Sequence, residues 1–206
     1  MTSTISRKDH ENMETIYFPA VLGRMKHLPR WALMPNIRQE NVHEHSMDVA
    51  LIADLLCSIR NELFGGNINA GDVVRAALYH DASEIFTGDV ATPVKYANPE
   101  IKKCLKDAET EACNKLMDML PEEVRQTYRN SFFPSHEVKE LVKAADKLSG
   151  LIKCILERKL GNTEFGDAEE SHYDWLREHC SHLQEVGYFV DHCISAYEKS
   201  LDKVLR

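Results

Sequence analysis

Apolar residues recur at three- and four-residue intervals along most of this chain, and no stretch alternates apolar and polar positions over the length of a strand. The clearest stripe is Val49, Ile52, Leu56 and Ile59, which predicts a helix over 44–64. Asn41 stands three positions before Glu44, the spacing of a reciprocal N-cap, and Gly65-Gly66-Asn67 ends the run. A second helix is expected over 70–86, capped by Asn69. Asn98-Pro99-Glu100 opens a third, with Pro at the first helical position, that continues to Leu120. Pro121 begins a shorter helix, and Pro134-Ser135 introduces a long one over 136–160, ended by Gly161-Asn162. Residues 167–205 are helical in pattern with a break near Gly187, and one more helix is expected over 13–26. Connections are short except for 87–98. The pattern therefore predicts an all-α fold, a compact multi-helix domain spanning 1–206 with no linker to a second.

Composition narrows the classes of partner. Lys and Arg total 25 against 33 acidic residues, a formal net charge of −8 that opposes broad binding to nucleic-acid polymers or anionic membranes. No run approaches the roughly 18 apolar residues of a membrane span, and the first residues meet charge before any apolar stretch, unlike a secretory signal. The six Cys are scattered without a CxxC pair, which reads as reduced thiols of a cytoplasmic protein.

The informative polar residues are those that fall on apolar helix faces. One helical step back from Val49 lies His45, which should face the core, whereas His43 sits about 200° around the helix and should face solvent. In the next helix, Val73 and Ala77 lead by helical spacing to His80 and Glu84, while Val74 and Leu78 lead to Asp81. Three ionisable groups thus emerge from one side. Burying carboxylates is costly unless a cation compensates, and beside an imidazole a metal ion is the simplest compensation. On the long helix the stripe is Leu141, Ala145, Leu148, Ile152 and Ile155, and Asp146 sits at its edge. By pattern alone Asp146 reads as a solvated flanking charge, Arg30 as a surface cation and Trp31 as a core anchor. His172, His179, His182 and His192 lie on a polar helical stretch without inward spacing, which argues against a second metal site there.

Taken together, Arg30-Trp31, Asn41-Val42-His43-Glu44-His45-Ser46, Tyr79-His80-Asp81-Ala82-Ser83-Glu84, Thr87-Gly88-Asp89-Val90-Ala91-Thr92-Pro93-Val94-Lys95-Tyr96 and Val142-Lys143-Ala144-Ala145-Asp146 carry a resemblance. They resemble the HD-domain metal-dependent phosphohydrolases, and among these the bacterial 5′-deoxynucleotidase group, over roughly residues 20–160. The resemblance implies an HD-type domain with His45, His80, Asp81 and Asp146 as metal ligands. It implies Glu84 as catalytic acid or base, Asp89 as a second catalytic or substrate-binding carboxylate, and Arg30 as the phosphate-orienting cation. Trp31 and Asp89, Val90, Ala91 and Thr92 would hold the deoxynucleoside, with His45 and Asp146 also close to substrate. The implied reaction hydrolyses deoxyribonucleoside 5′-monophosphates to deoxynucleoside and phosphate, in a homodimer. Ala91 stands where the group is expected to carry Pro, a change that loosens the substrate loop.

The residues themselves suit that chemistry. Two imidazoles and two carboxylates form a mixed N/O set that favours one divalent Mn, Fe, Co, Ni or Zn ion over Mg. A nucleoside 5′-alkoxide is a poor leaving group and needs a proton, which Glu84 or Asp89 could supply; the sequence leaves open which one. Arg30 offers a planar fork for two phosphate oxygens. Another phosphohydrolase of the same superfamily, acting on a cyclic nucleotide, a dinucleotide or a guanosine polyphosphate, is the alternative enzyme. A nucleotide-binding helical domain without turnover is the non-enzymatic one.

Overall fold

Among residues 15–206, which the computed structural model describes, every regular element is helical. The elements in order are α1 (Phe18–Leu22) running into a 3-10 turn (Gly23–His27), α2 (Val42–Phe64), α3 (Ala70–Tyr79), α4 (Glu84–Thr87), α5 (Thr92–Lys95), α6 (Pro99–Asp118), α7 (Glu122–Phe132), α8 (His136–Lys159), a 3-10 turn (Thr163–Phe165), α9 (Gly166–His179), α10 (Gln184–His192), α11 (Ile194–Tyr197) and α12 (Leu201–Val204). No helix among them is long and apolar enough to cross a membrane.

Local chemistry explains where the long helices begin and end. The Asn41 side chain accepts from the Glu44 N–H at 3.0 Å, and Asn69, Asn98 and Ser135 cap α3, α6 and α8 in the same way. Gly65 closes α2 in the left-handed region at φ 71°, a conformation that costs a residue with a Cβ.

Three expectations need correction. The helix expected over 70–86 stops at Tyr79. There the His80 ring N–H takes the Ala77 carbonyl at 2.7 Å, and the next bonds (Ala82 N–H to Tyr79 O, Glu84 N–H to Asp81 O, Ile85 N–H to Ala82 O) span three residues instead of four. The expected C-terminal break lies at Cys180–Leu183, where two buried side chains turn into the core, while Gly187 continues α10 by donating to Leu183 O. Residues 13 and 14 of the first expected helix lie outside the described residues, and the remainder is the short α1 with its 3-10 turn.

Two apolar clusters hold the described residues together. The larger joins α2, α3, α8, α9 and α10 through Val49, Leu56, Val73, Leu141, Leu148 and Phe189. Burial of each such side chain is favourable by roughly 1.5–3 kcal/mol. The smaller joins α1, the start of α2, α6 and α7 through Phe18, Val42, Ala82, Leu116 and Phe132. His45 lies between Val42 of the smaller cluster and Val49 of the larger. His80 and Asp81 lie between Ala77 and Ala82, so the polar residues gather at the seam.

A closed loop, 28–42, covers one side of that seam. Its ends are pinned where Val42 N–H meets Leu28 O and Arg30 N–H meets Glu40 O, both at 3.0 Å. Its tip is held from α8 and the residues after it. Glu157 accepts from the Ile37 and Arg38 N–H groups at 2.9 Å, and Asn162 donates to Pro35 O at 2.7 Å. Lys153 donates to Arg38 O and to Glu157.

Candidate active site

Two histidines present the same ring atom to one carboxylate. His45, fully buried on α2, places Nε2 at 3.1 Å from Asp146 Oδ1 and 3.6 Å from Asp81 Oδ2. His80, in the turn after α3, places Nε2 at 3.1 Å from Asp81 Oδ2, and the two rings lie 5.2 Å apart. The opposite nitrogens are anchored. His80 Nδ1 bonds Ala77 O, and His45 Nδ1 lies 3.1 Å from Ser149 Oγ. Such anchoring fixes ring orientation and leaves Nε2 free to ligate. Donor atoms of His45, His80 and Asp81 lie within 4.8 Å of one another, close enough to share an ion. Asp146 joins them through His45. His43 points away and is exposed, as the helical phase predicts.

The solvated reading of Asp146 is therefore corrected. Its stripe-edge position becomes half-buried because α2 packs along α8 and carries His45 over it. Arg30 is likewise inside the site and not on the surface. Its Nε donates to Glu40 Oε1 at 2.9 Å and its Nη1 to Asp81 Oδ2 at 3.1 Å, so two of its N–H groups are already engaged. Trp31 is half-buried, at φ 57°, with its ring 5.3 Å from Phe165 and 5.9 Å from His172. A left-handed backbone at a bulky residue is strained and persists only where surroundings enforce it.

The electrostatics are those of a site with more negative than positive charge. Burial alone would raise the Asp81 carboxyl, but His80, then His45 and Arg30, hold it well below the usual carboxylate range. Asp146 is held low in the same way, chiefly by its hydrogen bond and charge interaction with His45. Burial, helped by the Arg30 charge, lowers His45 to about 4, against the pull of Asp146. Glu84 moves the other way, pushed up to about 9 by burial and by the charges of Asp81 and Asp89. Burial also raises Asp89, against the pull of Arg30, with Asp81 adding to the rise.

Among the described residues, Glu84 Oε2 and Trp31 Nε1 near this cluster are buried without a hydrogen-bond partner, and His80 Nε2 meets Asp81 Oδ2 at 3.1 Å without hydrogen-bond alignment. Orphaned polar atoms are expensive, and they gather where a ligand completes the network. A divalent ion fits the donors present: two imidazole nitrogens, ionised carboxylates and surplus negative charge.

The loop over 89–92 is less enclosed. Asp89, Val90 and Ala91 are partly exposed and Thr92 is exposed at the start of α5. Ala91 adopts φ −53°, within the range a proline ring imposes, so the loop takes a proline-compatible path with alanine in place.

Sequence reasoning missed Glu40 and Ser149. Glu40 sits in a loop with no periodicity to reveal it, although it bonds Arg30 and lies 3.6 Å from His45 Nδ1. Ser149 carried a signal, since it follows Asp146 by one helical turn on the inward face.

Comparison with known proteins places the chain among relatives. A family model described as "5′-deoxynucleotidase YfbR-like" matches residues 17–197. The chain is 43% identical over 195 residues to 5′-deoxynucleotidase YfbR of Escherichia coli, covering 93% of this chain and 97% of that one. Among solved structures it is similar to an HD-domain phosphohydrolase from Listeria innocua, with TM-score 0.76, 24% identity and 87% of each chain covered. It is also similar to the cyanophage S-2L HD phosphohydrolase DatZ, bound to dA and one catalytic Zn2+ ion, with TM-score 0.63, 21% identity and 89% and 97% of the two chains covered. These likenesses at low identity speak for the fold, and the family model and the 43% relative go further: the chain belongs to the YfbR-like 5′-deoxynucleotidase family.

Proposed function

We propose that this protein is a metal-dependent 5′-nucleotidase that hydrolyses deoxyribonucleoside 5′-monophosphates to deoxynucleoside and phosphate. The observation that carries this reading is the convergence of two anchored imidazoles on Asp81, beside a buried carboxyl and a buried guanidinium, in a chain of this family.

His45, His80, Asp81 and Asp146 would hold one divalent transition-metal ion of the Co, Mn, Zn, Fe or Ni group. When bound, such an ion supplies positive charge to the phosphoryl group and activates water. The remaining steps belong to side chains. Glu40 and Asp81 clamp the Arg30 guanidinium and leave its Nη2 hydrogens for a phosphate oxygen. Glu84 enters the neutral range with its proton retained, so it delivers that proton to the departing 5′-oxygen. Asp89, Val90, Ala91 and Thr92 face the nucleoside together with Trp31, whose indole lies against the sugar and leaves no room for a 2′-hydroxyl. The protein acts as a single domain, in a homodimer, in the reducing cytoplasm where its six free thiols persist.

The test is phosphate release from matched deoxyribo- and ribonucleoside 5′-monophosphates after metal removal, with Mn, Co, Zn or Mg added back. Release from the deoxy series that depends on a transition metal is expected. Folded, metal-loaded protein that releases no phosphate from any deoxynucleoside monophosphate would overturn the reading, and equal release from both series would remove the role given to Trp31.

A further inference from the structure

Two of the residues that seat Trp31 come from beyond the stretch that carries the resemblance. Asn36 ties the Trp31 carbonyl down at 3.1 Å, Phe165 packs against one part of the indole, and His172 of α9 packs against another. His172 is itself trapped. Its Nδ1 bonds Ala168 O one turn back at 2.7 Å. Its opposite edge lies over Gly150 of α8, where an added Cβ would overlap Nε2 and come within 2.9 Å of Cδ2. Gly150 is therefore the opening in α8 that lets the imidazole lie between that helix and the indole. Ser149, next to it, contacts His45 Nδ1, so the same turn of α8 braces both an imidazole of the metal cluster and the ring that braces Trp31.

We propose that His172 is a positioning residue that sets the attitude of the Trp31 indole, and through it the discrimination between deoxyribose and ribose. This rests on the reading that Trp31 lies against the sugar. Trp31 holds a strained backbone at φ 57° and a buried indole N–H without a partner, and its own loop binds its carbonyl through Asn36 and Met34 rather than its ring. The constraint comes from outside, from two aromatic rings. Phe165 is fully buried, whereas His172 is half-buried and borders the site. A shift of the indole by the width of a methyl group changes discrimination in an apolar pocket by about tenfold or more.

The experiment measures kcat and KM for one matched pair of deoxyribo- and ribonucleoside 5′-monophosphates in His172→Ala, His172→Phe, Gly150→Ala and Trp31→Ala, all metal-loaded. In a Trp175→Phe background, which leaves Trp31 as the single indole, emission from Trp31 reports its surroundings independently of turnover. His172→Ala is expected to narrow the deoxy-to-ribo ratio of kcat/KM by about tenfold, to shift Trp31 emission and to retain metal. His172→Phe should restore the ratio, because a flat ring again fills the slot. Gly150→Ala should narrow it without altering either ring. An unchanged ratio and emission in His172→Ala, with the ratio collapsed in Trp31→Ala, would overturn the proposal and leave the sugar-wall reading standing. An unchanged ratio in Trp31→Ala would overturn both.

Discussion

Two buried groups of charges touch α8, built from similar residues and finished differently. Around Glu157, no buried side-chain polar atom among the described residues is left without a partner. Its carboxylate takes two backbone N–H groups, Lys153 at 2.6 Å and Asn162 at 2.8 Å, and none of these side chains carries an orphan. Around His45, the opposite holds, with an orphaned atom on Glu84, an unaligned one on His80 and carboxylates outnumbering cations. Low surrounding dielectric strengthens satisfied pairs and penalises unsatisfied ones. The closed group is scaffold, locking loop 28–42 so that Arg30 and Trp31 reach the seam. The open group is where the network waits for ligand.

That contrast predicts separable losses. Glu84→Gln, which keeps shape but cannot donate a proton, should lower kcat by about 10²–10⁴-fold with metal content unchanged, measured by phosphate release. Glu157→Ala should instead reduce unfolding free energy by about 3–5 kcal/mol in urea titrations, because Lys153 is left buried without its partner. A Glu157→Ala protein of undiminished stability would dissolve the distinction between the two groups.

The pH dependence sharpens it further. Burial would raise the Glu157 carboxyl, but Lys153, Asn162 and the two backbone donors bring it down to about 2. An unfolded Glu titrates near 4.3, so between these values the unfolded chain binds more protons and stability rises with pH. The contribution is fully present above the unfolded value and is lost as pH falls through about 2. Urea midpoints between pH 3 and pH 6 should therefore slope less in Glu157→Gln than in the parent. The smallest effect belongs to His43→Ala, expected within about 0.5 kcal/mol of the parent in stability and with full metal binding. His45→Ala, two residues on, should lose the metal.

What could be read from sequence follows from where each constraint originates. The Asn41–Glu44 cap and the inward phase of His45 are local and periodic, and both are found in the structure. The turn at His80–Ser83 was hidden because Ala, Leu and Glu around it favour helix; the His80 ring bond to Ala77 O breaks the ladder. Asp146 and Glu157 carry no local mark of burial. Lys153 and Glu157 stand four residues apart on α8, and their burial comes from a distant loop closing over them. Glu40 and the His172 contact with Gly150 arise only from tertiary approach, so no periodicity announces them. The resemblance supplied Arg30, Trp31, Asp89 and Asp146 as candidates where pattern alone could not.

The most direct test of the contrast between the two groups is metal content by elemental analysis. It would be measured on dialysed parent protein, His80→Ala and Glu157→Gln after loading with Mn or Co. The account predicts one ion per chain in the parent and in Glu157→Gln, and none in His80→Ala. An ion retained in His80→Ala, or lost from folded Glu157→Gln, would contradict it.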